Sequence, residues 1–119
     1  MKTFVRKFIA ILKIELEDTT EGLHALLDAY KKSEECNKIT EYVSRENSGL
    51  VRHEIAAIRS LLLEIDTFSA EDFENVGAVE TAVKEFIAGE IAKHGYPAAL
   101  AFLVDRKVGK VRRYLQEIG

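Results

Sequence analysis

The chain has 119 residues, of which 47% are hydrophobic and 31% charged, and a net charge of -3. This length and balance suit one domain, 1–119, that buries its own core, and they exclude a disordered tail and a protein that coats nucleic acid over its whole surface. The single cysteine, Cys36, excludes an intrachain disulfide and fits a reducing, cytoplasmic setting.

The opening MKTFVRKFIAILK has the basic start and apolar run of a leader. Lys13 and Glu15 interrupt that run and no small-residue cleavage site follows, so it reads as a helix of the mature fold. Val5, Ile9, Leu12, Leu16, Thr19, Leu23, Leu26 and Tyr30 then keep a heptad register without a slip, which predicts helix 1 over about 2–32. Asp18-Thr-Thr-Glu21 offers a competing capping box, but a break there would gather acids at a helix C-terminus. This heptad continuation favours interior packing over a membrane-surface role, and no stretch approaches a membrane span.

Ser33 is the expected N-cap of helix 2, placed over about 34–66, with Cys36, Ile39, Val43, Glu46, Leu50, Glu54, Ala57, Leu61 and Ile65 on its inward stripe. Asn47-Ser48-Gly49 is a candidate kink or break, although the stripe stays in phase across Gly49. Ser69 is the expected cap of helix 3, about 70–94, with Glu71, Asp72 and Glu74 in its first turn. Gly95 and Pro97 separate it from helix 4, about 97–117, whose inward residues are Leu100, Val104, Val108, Val111, Leu115 and Ile118. Four amphipathic helices on short turns predict an all-α antiparallel four-helix bundle.

Folding the helices at these turns brings Glu46 of helix 2 level with Glu90 and His94 of helix 3, and less closely with His24 of helix 1. Inward carboxylates and imidazoles on facing helices are a way for a bundle to hold a transition metal, so Glu46, Glu90, His94 and His24 form a candidate site. Two carboxylates at one level also suit acid-base chemistry. No nucleophile, phosphate loop or Ser-His-Asp arrangement accompanies them, which ranks an enzyme low. The same levels pair Glu54 with Lys13 as a structural ion pair.

Arg106, Lys110 and Arg113 share the outer face of helix 4 with Phe102, a basic patch suited to a phosphate backbone or an acidic protein. Phe4, Phe8, Ile11 and Ile14 make the first half of helix 1 apolar around most of its circumference. Together with Phe102 they predict an interface with a second copy or a partner protein. The leading expectation is a non-enzymatic assembly or regulatory module working through helix faces, ahead of a metal-binding bundle and a nucleic-acid-associated subunit.

Overall fold

Helical periodicity carries through the described chain, and no strand occurs among the described residues. In the computed structural model, which describes residues 2–69 and 73–118 apart from the Ile118 side chain, α1 spans Lys2–Glu35, α2 Glu41–Ile65, α3 Val76–His94 and α4 Ala98–Ile118. The expected inward position of Ile118, and Glu71 and Asp72 as first-turn acids, lie outside the described residues. No helix among the described residues is long and apolar enough to cross a membrane.

α1 runs unbroken through Asp18, and α2 through Gly49, so neither competing break forms. The expected start of α2 at Ser33 is displaced by seven residues, to the Thr40 cap. The cause is Asn37, which takes a left-handed φ of 57° and ends α1 in a Schellman motif, with Lys38 N–H donating to Ser33 O at 2.8 Å. Ser33 is thereby the last-turn acceptor of α1, and the Thr40 hydroxyl accepts from Val43 N–H at 3.1 Å to start α2.

The expected start of α3 is displaced in the same direction. Asn75 caps it, its side-chain oxygen accepting from Ala78 N–H at 2.9 Å, while Ser69 stays exposed in the linker. That linker carries two aromatic anchors: Phe68 stacks on Phe73 and meets Phe86 of α3 edge-on at 5.5 Å. Gly95 ends α3 with φ 65°, as the sequence predicts, and Tyr96 N–H donates to Ile91 O at 3.1 Å.

α1 pairs with α2, α3 pairs with α4, and the two hairpins join mainly through α1 and α4. Glu15 meets Lys107 and Lys110, whereas Thr19 and Leu23 lie beside Ala99, Leu100 and Leu103, so α1 and α4 run antiparallel. α2 meets α3 least of the adjacent pairs. Below the end of α2, Phe68 takes its place against Val5 and Ile9 of α1.

The core follows from these levels. Val5, Phe8, Leu12 and Leu16 of α1 pack with Val79, Val83, Ile87 and Ile91 of α3, and with Leu100, Val104, Val108, Val111 and Leu115 of α4. Ala57, Ile58, Leu61 and Ile65 of α2 close the upper end. Each large side chain fully buried here contributes about 1.5–3 kcal/mol. No α1 residue is buried beyond Leu16, although the helix continues to Glu35. Its second half and the first half of α2 therefore form a hairpin that projects past the body, and the molecule measures 55 × 32 × 18 Å.

Two expectations fail on phase. The inward stripe of α2 in the hairpin runs through Ser44, Ser48, Val51 and Ile55, leaving Val43, Glu46 and Leu50 exposed. The two serines look polar in sequence, but both are buried, on the side of α2 that faces Leu27, Asp28 and Lys31 of α1. Phe8, expected at an outer interface, is fully buried because the core seam of α1 runs through Phe8 rather than Ile9.

Candidate functional site

The later reversal between α1 and α2 moves every partner along α2. Lys13 pairs with Asp66 Oδ1 at 2.7 Å and not with Glu54, about three helical turns away. Glu54 is half-buried beside Thr19, Leu23 and Leu100. His24 Nε2 lies 3.0 Å from Arg59 Nη2, also far from its expected level. Glu46 stands exposed on the projecting hairpin, above the reach of α3. The expected set of Glu46, Glu90, His94 and His24 is thus brought together only in part: Glu90 and His94 meet, and Glu64 takes the place assigned to Glu46.

Glu64 stands on the last turn of α2, and Glu90 and His94, four residues apart, face it from the last turns of α3. His94 Nε2 lies 2.9 Å from Glu64 Oε1 and 3.3 Å from Glu90 Oε2. Tyr96 folds back over the end of α3, stacks on the His94 ring with centroids 5.2 Å apart, and donates its hydroxyl to Glu64 Oε1 at 3.0 Å. Burial raises the Tyr96 pKa above its ordinary value, and the Glu64 and Glu90 carboxylates push the same way while the Ser60 hydroxyl opposes them. Glu64 Oε2 is buried and accepts no hydrogen bond among the described residues.

Sequence reasoning found the Glu90–His94 pair because an i,i+4 spacing fixes it within one helix. It missed Glu64 and Tyr96 because each depends on where a linker ends. The available signal for Tyr96 was its position directly after Gly95, where a Schellman motif turns the following residue back over the helix.

The basic patch is only half free. Glu15 Oε1 binds Lys110 Nζ at 3.0 Å and Glu15 Oε2 binds Lys107 Nζ at 3.3 Å, while Arg112 and Lys84 pair with Glu80. The hydrogen bond from Lys110 is the leading cause that lowers the Glu15 pKa, with Lys107 adding to it against the opposing effect of burial. Arg106 and Arg113 make no ion pair among the described residues, and they line a cleft of about 440 Å³ around Gly109. Of the expected interface residues, Phe4 and Ile11 are half-buried against the core, whereas Ile14 and Phe102 are exposed.

These features define an all-α protein of two offset helical hairpins. Comparison of the chain with protein-family models, with curated proteins and with solved structures finds no match in any of the three.

Proposed function

We propose that the protein is a non-enzymatic helical assembly module whose projecting α1–α2 hairpin pairs with the hairpin of a second copy. The observation that carries this reading is one stripe on α2 that loses its cover partway along. Leu61 and Ala57 on that stripe are buried and Glu54 is half-buried beside the start of α4; beyond α4, Leu50 is 65% and Val43 40% exposed. The seam of α1 behaves alike. Leu16 is fully buried, Leu23 still packs on the core, and Leu26 is 38% exposed.

Leu26 on α1, and Leu50 and Val43 on an α2 stripe that Glu46 and Glu54 interrupt, continue in register past the helices covering them and suit a helix pair of similar pattern. A second copy supplies such a pair by two-fold symmetry. Gly22, Ala25 and Ala29, all exposed beside Leu26, leave room for a close helix approach. The sequence expectation placed the contact on the first half of helix 1; this reading moves it to the second half, where the core no longer reaches.

Size-exclusion chromatography with light scattering tests the proposal. The expected result is a dimer that Leu26→Glu and Leu50→Glu together convert to a monomer of unchanged helix content. A wild-type chain that stays monomeric at high concentration overturns it.

A further inference from the structure

We infer that Glu64, Glu90 and His94 form a binding site for one borderline divalent metal ion, zinc above others, that ties the end of α2 to the end of α3. This inference is independent of the assembly reading. It begins with charge. Helix C-termini carry partial negative charge, and here the last turns of two helices meet. Each also brings a carboxylate, Glu64 on α2 and Glu90 on α3, so four sources of negative potential face one another. The one side chain among them able to carry positive charge is His94.

His94 meets that demand incompletely. Both carboxylates approach the same ring nitrogen, Nε2, at 2.9 and 3.3 Å. A ring nitrogen bears at most one hydrogen, and one N–H points along one line. It satisfies one carboxylate and leaves the other facing a nitrogen with nothing further to donate. Tyr96 donates only to Glu64 Oε1, and the buried Glu64 Oε2 remains without a hydrogen bond among the described residues.

A divalent cation between the three groups removes the conflict. It accepts the Nε2 lone pair and one oxygen from each carboxylate, and it answers the two helix ends together. One candidate ligand atom from each residue lies within 4.8 Å of the others. Zinc bonds of about 2.0–2.1 Å at tetrahedral angles place adjacent donors about 3.3 Å apart. The Glu90–His94 separation of 3.3 Å already has that length, and the Glu64–His94 separation of 2.9 Å needs a small opening.

The donor chemistry selects the metal class. One imidazole and two carboxylates suit zinc and its first-row neighbours, while magnesium and calcium prefer all-oxygen shells. His94 is 38% exposed, which provides an entry path and a solvent-facing coordination position. The stacked and hydrogen-bonded Tyr96 holds two of the three ligands in place.

The test is isothermal titration of tag-free protein with zinc chloride, with magnesium chloride as the control. One equivalent of zinc should bind with micromolar or tighter affinity, raise the melting temperature by about 5 °C near saturation, and leave magnesium without effect. His94→Ala and Glu90→Gln should each weaken binding at least tenfold. Circular dichroism establishes that each variant is folded, and cobalt substitution gives a second readout, a visible absorption band that His94→Ala removes. Cys36 is the exposed rival ligand. Cys36→Ser should leave binding unchanged. Failure of zinc to bind stoichiometrically at 100-fold excess, binding unaltered in both site variants, or binding lost in Cys36→Ser overturns the inference.

Discussion

The body and the hairpin share two helices, and α1 and α2 meet different surroundings at their two ends. In the body, the seam of α1 from Val5 to Leu16 is sealed by α3, α4 and Phe68. Leu23 is the last residue of that seam to meet α4, and Leu26, one turn further into the hairpin, is 38% exposed. The difference teaches that a heptad register specifies which face is apolar and says nothing about how far the covering helices extend. Register belongs to the sequence of one helix. Coverage belongs to the lengths of the others and of the linkers between them.

The sharpest way to break this comparison is to delete equivalent leucines on one seam. Leu12→Ala, in the body, should cost about 3 kcal/mol in urea unfolding, through lost transfer energy and the cavity left behind. Leu26→Ala, measured at a concentration where the protein is monomeric, should cost less than about 1 kcal/mol because its side chain is already partly in water. Equal losses would mean that the hairpin face is covered within one chain, and the assembly reading would lose its basis.

The contrast also separates what was legible in the sequence from what was not. Helix number, the Gly95 stop and the inward residues of α4 from Leu100 to Leu115 followed from periodicity and turn chemistry, which are local. The Glu90–His94 pair was legible for the same reason. Glu64, Lys13–Asp66 and His24–Arg59 were not, because each requires the level of one helix against another. That level depended on Asn37, an asparagine in a glycine-like conformation, and on Phe68 and Phe73, which stack on each other ahead of the Asn75 cap of α3. A displacement of seven residues at the first turn moved every partner on α2 by several turns. Ser44 and Ser48 hid the hairpin seam in a second way, by being small where an apolar residue was sought.

A smaller effect is expected where α1 meets α4. The Glu15 carboxylate, held by Lys110 and Lys107, has a folded-state pKa below its ordinary 4.5. The folded state therefore binds this proton more weakly than the unfolded chain does. The stabilisation it brings is fully present above about pH 4.5 and is lost as the pH falls through the lowered value. Glu15→Gln should cost about 1 kcal/mol at pH 7 and flatten the acid limb of the stability curve below pH 4.5, since Lys110 is largely solvated and the pair is screened. An unchanged acid limb in Glu15→Gln would show that the α1–α4 contact is held by its apolar side alone.

The smallest expected change has the opposite sign and lies in the hairpin. Gly49 sits within α2, exposed, and an added Cβ meets no atom within 4 Å. Gly49→Ala should stabilise the monomer by about 0.5–1 kcal/mol, because alanine restricts the unfolded chain and favours helix. Native-state hydrogen exchange locates that gain. If α2 is one continuous helix whose first half is secured only by α1, protection should rise at the amides around residues 45–53 and stay constant in α3 and α4. A gain spread evenly over all four helices would instead mean that hairpin and body unfold as one unit. The uncovered stripe would then belong to the same cooperative structure as the core, and a second copy binding there would stabilise the whole chain rather than the hairpin.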